Sequence, residues 1–133
     1  MTRVLLDTSA YVNLTNGHRG LINAVQFADS VALSPVMIGE LRAGFQKGSQ
    51  TRRNLDQLQE FRSSPRVIVY DVTEETARRY AFIYDTLRVG GSPIPANDIW
   101  IAATAMEHGL TLLTLDRHFL RIPQIVVEHF DHE

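Results

Sequence analysis

The sequence predicts an α/β domain: a central, mainly parallel sheet of four or five strands with helices packed against it. Short β-rich runs alternate with longer segments of helical periodicity, the pattern of strand–helix–strand crossovers. The 133 residues are the length of one domain. There is no internal repeat, and the only Gly/Pro cluster is Gly90-Gly91-Ser92-Pro93-Ile94-Pro95. A single domain over 1–133 is expected, with a loose polar tail from about residue 129.

Arg3-Val4-Leu5-Leu6 reads as a buried strand because it is a short apolar run ended by an acid. Val31-Ala32-Leu33, Arg66-Val67-Ile68-Val69-Tyr70, Thr111-Leu112-Leu113-Thr114 and Ile125-Val126-Val127 read as further strands for the same reason and for their β-branched content. The segments between the first four are long enough for crossover helices. Ser34-Pro35 opens one, with Ser as cap and Pro in the first position, running to about Gln46. A polar helix follows over roughly 50–62. Another runs from Thr73 to about Arg88, with Glu74 and Glu75 in its dipole-favoured first turn. The last runs from about Pro95 to His108 and stops at Gly109. The 115–124 connection is short for a crossover, so the fifth strand rests on composition alone.

Composition narrows the function classes. Apolar residues at 44% and charged residues at 21% are a globular balance, which excludes a disordered chain. No apolar run approaches the ~18 residues of a membrane span. The opening run meets Asp7 after three apolar residues, unlike a signal peptide, so the cytoplasm is the expected compartment. Without cysteine there are no disulfides, thiolate metal sites or cysteine nucleophiles. A net charge of −2 is not a nucleic-acid binder's usual excess. Its distribution is uneven, however. Arg42, Lys47, Arg52, Arg53, Arg62 and Arg66 face only Asp56 and Glu60 over 42–66, which suits a solvated helix face or a phosphate-facing stripe.

Topology brings four acids to one place. Residues just after the strands of a parallel sheet lie at its carboxyl edge, where ligands bind, and crossover helices begin at the same edge. Asp7 follows the first strand and Asp116 the fourth. Glu40 lies in the second turn of one crossover helix, and Asp98 in the first turn of another. Taken singly, Asp7 also suits a helix cap and Asp116 a turn. Glu40 is stranger, about 60° around its helix from Met37 and on the shoulder of an apolar stripe. Asp98 is stranger still, because Ile101, Ala102 and Ala105 place it on the face that should meet the sheet. Carboxylates about 4 Å apart repel by about 1 kcal/mol per pair in water and about 4 kcal/mol at a protein-like dielectric. A divalent cation offsets that cost, and an oxygen-only ligand set selects Mg2+, with Mn2+ as a substitute. Such ions serve phosphate chemistry.

Other chemistries fit less well. His18, His108, His118, His129 and His132 show no zinc-protease spacing. His118, two residues from Asp116, can approach the rim, although a packing or surface role suits it better. Ser9 lacks a nucleophile-elbow context, and no Gly-rich phosphate loop follows a strand. An aspartyl phosphatase needs a second Asp where Ser9 stands, and a lysine, of which Lys47 is the only one.

Four blocks carry a family resemblance: Asp7-Thr8-Ser9-Ala10-Tyr11; Gly39-Glu40-Leu41; the run from Pro95 through Asn97-Asp98 to Ala105; and Leu113-Thr114-Leu115-Asp116-Arg117-His118-Phe119. In these, and in their order, the chain resembles PIN-domain ribonucleases, specifically the VapC-type toxins of toxin–antitoxin pairs. The resemblance implies a three-layer α/β/α fold. It also implies a metal cluster of Asp7, Glu40, Asp98 and Asp116, with Asp7 and Asp98 as direct ligands. Glu40 and Asp116 would hold metal-bound waters or a second ion. Thr114 and Thr8 would support the rim, and Asn97 would hold the helix start. The implied reaction is Mg2+-dependent hydrolysis of structured RNA, tRNA or rRNA, leaving a 5′-phosphate and a 3′-hydroxyl. Arg42, Lys47, Arg52 and Arg53 are candidate RNA contacts. The implied partners are a VapB-type antitoxin, which alone would bring DNA binding, and a second copy in a homodimer that forms a heterotetramer or larger with the antitoxin. Two alternatives keep the fold: a nuclease of RNA processing without an antitoxin, and a non-catalytic RNA- or protein-binding PIN fold.

Overall fold

A computed structural model describes residues 2–133. In chain order the elements are β1 (Arg3–Leu6), α1 (Thr8–Thr15), α2 (Arg19–Phe27), β2 (Ser30–Leu33), α3 (Pro35–Lys47), α4 (Thr51–Arg62) and β3 (Val67–Val69). They continue with α5 (Glu74–Val89), α6 (Ala96–His108), β4 (Thr111–Thr114), a 3-10 helix (Arg117–Arg121) and β5 (Val126–His129). The strands form one sheet in the order β3-β2-β1-β4-β5, and every pair is parallel.

Successive side chains of a strand point to opposite faces, so an unbroken buried run means that both faces are covered. Val4, Leu5 and Leu6 of β1 are all buried, as are Val31, Ala32 and Leu33 of β2 and Leu112, Leu113 and Thr114 of β4. Helices therefore cover both sides of the central strands. The outer strands alternate instead: Val126 and Glu128 of β5 are exposed while Val127 and His129 are half-buried.

The helix boundaries follow from local chemistry. The Ser34 hydroxyl accepts from Met37 N at 3.2 Å and Pro35 occupies the first position of α3. Thr73 and Thr76 form a reciprocal cap at the start of α5, with Thr76 in the place usually taken by Glu. α6 ends at Gly109, whose φ of 65° is the left-handed conformation that a side chain would strain.

The short link after β4 does reach a parallel fifth strand. It does so with one 3-10 turn whose Phe119 is fully buried, a compact anchor in place of a full helix. Beyond β5 the chain turns back. Phe130 N donates to Thr114 O at 2.9 Å, His18 Nε2 meets Asp131 O at 2.7 Å, and Glu133 accepts from Arg19 N at 3.0 Å. The last residues thus lie across the start of α2. Gly20 leaves room for them, since a Cβ there would come within 3.2 Å of both His18 and Phe130.

Sheet order has one consequence for function. Connections run β1 to β2 to β3 in one direction, and then the chain crosses to β4 on the other side of β1. The order reverses between β1 and β4, and that reversal opens a crevice at the carboxyl edge.

Candidate active site

Asp7, Glu40, Asp98 and Asp116 line one cleft of ≈ 340 Å³ at that crevice, together with Thr8, Ser9, Val12, Asn13 and Ile101. No Lys or Arg lines it. All four acids named from the sequence are brought together, by four different segments.

Asp7 is the most deeply set. It leaves the end of β1 and caps α1, its Oδ1 accepting from Ala10 N at 2.8 Å. The Ser9 hydroxyl donates to the same carboxylate at 2.8 and 3.0 Å, and the Thr114 hydroxyl donates to Oδ2. The cap and the cluster are therefore one arrangement, not alternatives. Burial pushes the Asp7 carboxyl above its usual range. The donors from Thr114, Ala10 and Ser9 oppose this, and the charge of Asp116 adds to it.

Asp116 plays a matching part at the end of β4. It caps the 3-10 helix through His118 N at 2.9 Å, and its own N–H donates to Thr114 Oγ1 at 2.9 Å. Leu115 N donates to Ser9 Oγ at 3.1 Å. Thr114 and Ser9 thus stitch together the ends of the two strands on either side of the crevice. Thr114, named from the family resemblance, lies at the rim between Asp7 and Asp116. Ser9 was not expected there.

Glu40 approaches from α3. The Thr8 hydroxyl donates to its Oε1 at 2.6 Å and Asn97 Nδ2 to its Oε2 at 3.3 Å. Asn97 therefore reaches across to the glutamate. The N-cap position of α6 is Pro95, and no side chain caps it.

Asp98 stands on the first turn of α6 with Ile101, Ala102 and Ala105 buried behind it. Its side chain is only 15% exposed. Burial raises its pKa to about 6, the charges of Asp116 and Glu40 add to the rise, and His118 opposes it. His118 is the second residue that sequence reasoning set aside. Its Nδ1 lies 3.4 Å from Asp98 Oδ2 and 3.2 Å from Asp116 Oδ1, so it belongs to the rim and not to the packing.

The basic candidates lie elsewhere. Arg42, Lys47, Arg52 and Arg53 are exposed on α3 and α4, outside the cleft. Arg52 and Arg53 border a shallow surface with Gln50, Asp56, Gln57 and Glu60, and Arg52 lies 3.8 Å from Asp56. Arg66 leaves the stripe altogether, because its guanidinium donates to the carbonyls of Val25 and Ala28 at the end of α2.

The donor set fits a divalent cation. Carboxylates converge with no Lys or Arg among the described residues lining their cleft, and two of them resist ionisation where they stand. A cation would lower both costs.

Residues 4–125 match the PIN domain as a family. Ribonuclease VapC4 of Mycobacterium tuberculosis is 30% identical to the chain, the match covering 94% of this chain and 95% of that protein. The toxin–antitoxin complex VapBC2 of Rickettsia felis, solved on a DNA fragment from its promoter, contains a chain that superposes with a TM-score of 0.87 at 27% identity. That match covers 98% of this chain and 100% of the other. A DNA-bound VapBC of Salmonella typhimurium gives 0.84 at 28% identity, covering 97% and 98%.

Proposed function

The chain belongs to the PIN domain family, in its VapC ribonuclease branch, and on that premise we propose that it is a cation-dependent endoribonuclease acting as the toxin of a toxin–antitoxin pair. The observation that carries the reading is the convergence of Asp7, Glu40, Asp98 and Asp116 on one cleft that, among the described residues, no Lys or Arg lines. A closed set of acids repels a phosphodiester. The site becomes a phosphate site only with Mg2+, or Mn2+ in its place, among the carboxylates.

Bound there, the cation supplies polarisation of the phosphoryl oxygen and acidification of a water at neutral pH. The chain's own residues prepare its place. The donors of Ala10, Ser9 and Thr114 hold the Asp7 carboxylate in one orientation. Thr8 and Asn97 fix the two oxygens of Glu40. Asp98 and Asp116 complete the set from α6 and β4. Arg42, Lys47, Arg52 and Arg53 hold RNA phosphates outside the cleft, so they contribute affinity with little base selection. A structured RNA, tRNA or rRNA, is the substrate.

The partner is a VapB-type antitoxin, which brings the DNA binding, and the toxin pairs as a homodimer within a heterotetramer or larger. An apolar groove of ≈ 440 Å³ supports a protein partner. It is lined by Tyr11, Leu14, Ile22, Phe61 and Val67 among others, and the Tyr11 hydroxyl there is buried without a hydrogen-bond partner. No helix among the described residues is long and apolar enough to cross a membrane. As a protein acting on RNA, it works in the cytoplasm.

The test is cleavage of a tRNA and rRNA pool by antitoxin-free protein with Mg2+, with EDTA, and with Asp98→Asn. Discrete fragments that disappear in the last two conditions are expected. Intact RNA under every condition, from folded protein, overturns the proposal.

A further inference from the structure

The 3-10 turn after β4 delivers two side chains to the rim, not one. Asp116 caps the turn through His118 N, and Phe119 anchors it in the core at 0% exposure. His118 between them has little freedom in its backbone. Its Nδ1 sits 3.2 Å from Asp116 Oδ1 and 3.4 Å from Asp98 Oδ2, and these carboxylates are the only side-chain partners it has among the described residues. One ligand atom from each of the three residues falls within 4.8 Å of the other two. Ligands about 2.1–2.2 Å from an octahedral cation stand about 3 Å apart when adjacent. The two separations of 3.2 and 3.4 Å from His118 Nδ1 are therefore close to those of neighbouring ligands.

The remaining oxygens agree. Asp7 already accepts from three donors, Ser9, Ala10 and Thr114. Asp98 Oδ1 and Asp116 Oδ2 accept from none among the described residues, so each of the two carboxylates beside His118 keeps an oxygen free for a cation.

We infer that His118 is a nitrogen ligand of the rim's cation site, beside Asp98 and Asp116, and that it biases the site from Mg2+ towards Mn2+. Mg2+ demands hard oxygen ligands and gives up water reluctantly, whereas a mixed carboxylate–imidazole set suits a transition ion. The inference rests on reading the rim as a cation site. It departs from that reading by adding a ligand that is not an acid.

Mn2+ titration of the metal-free full chain tests it, followed by electron paramagnetic resonance, with Mg2+ affinity taken by competition. Wild type should bind Mn2+ with the pulsed-resonance modulation of a coordinated imidazole nitrogen. His118→Ala and His118→Asn should both lose that modulation. Their Mn2+ affinity should fall by at least about tenfold while Mg2+ affinity changes by less than about threefold. Bound Mn2+ without nitrogen modulation in wild type, or modulation that survives in either variant, overturns the assignment and leaves the cation site standing. Equal loss of both ions in the variants also overturns it. Wild type that binds no Mn2+ at all removes the cation site itself, and the proposed nuclease with it.

Discussion

Replacing Asp98 with Asn should make the metal-free protein more stable while abolishing its response to divalent cations. The Asp98 pKa rises from 3.8 to about 6 in the folded chain. Between those values the folded state keeps a proton that the unfolded state has released, so stability falls as pH rises through this window and stays lower above it. A shift of about 2 units corresponds to about 3 kcal/mol held against folding at neutral pH. The side chain is only 15% exposed, so solvent screening relieves little of this. Asn keeps the shape and cannot ionise. At pH 7.5 in EDTA it should gain about 2–3 kcal/mol, the lost attraction to His118 taking back a fraction, or roughly 6–10 °C in Tm for a chain of this size. At pH 4.5 the gain should shrink to about a third of that. Mn2+ at a hundred times Kd should close the gap, adding about 2.7 kcal/mol to wild type alone, and at a thousand times Kd, about 4.1 kcal/mol, it should reverse the order. Thermal denaturation followed by circular dichroism, at both pH values and with EDTA or Mn2+, measures all of it. An Asp98→Asn variant less stable than wild type in EDTA at pH 7.5, or a gap unchanged at pH 4.5, would refute the claim that the site stores electrostatic strain.

Three further outcomes follow from named contacts. Thr114→Val removes a donor to Asp7 and an acceptor for Asp116 N; it should cost about 1–3 kcal/mol in chemical denaturation and lower Mn2+ affinity about 10–100-fold by titration. Mn2+ affinity of the wild type should weaken as pH falls through about 6, where Asp98 takes up its proton, and level off above about 7; a flat profile between pH 5 and 8 would contradict this. Gly20→Val puts a side chain against His18 and Phe130; it should cost about 1–3 kcal/mol and expose residues 130–133 to limited carboxypeptidase digestion, with RNA cleavage retained.

Much of the architecture was legible because the central strands are unbroken apolar runs, and only a parallel sheet covered on both faces buries such runs. From there Asp7 and Asp116 could be placed at strand ends, and Asp98 stood out as an acid on an apolar helix face. The cleft that unites the four acids is thus a reading of topology more than of composition. Ser9 was hidden because a hydroxyl after Asp-Thr reads as capping chemistry, while Leu115 N and Thr114, which tie it to β4, lie 106 and 105 residues away. His118 had a local signal, two residues after an acid that ends a strand, but its orientation depends on a 3-10 turn anchored by Phe119, which periodicity does not reveal. Arg66 failed in the opposite sense. It counts as charge in the sequence and as a helix cap in the fold, because its carbonyl partners sit on a helix 38 and 41 residues earlier.

The rim shows how a fold can hold like charges together without a separate scaffold. Asp7 and Asp116 each spend an oxygen on a backbone N–H, Ala10 N and His118 N, that would otherwise lack a partner at the start of a helical turn. Both bonds stabilise the structure, and at Asp7 the Ala10 N–H also favours the charged carboxylate, so part of the cost of repulsion there is met by a cap the chain needs anyway. Asp98 has no backbone donor of this kind, and only His118 opposes the rise there. It stands on an apolar face, with burial as the largest influence on it and two neighbouring acids making ionisation harder. The strain is therefore concentrated on the acid beside His118, whose Oδ1 accepts from no donor among the described residues. A cation bound in the cleft, as proposed above, would relieve Asp98 most, and removal of that residue would then separate stability from function.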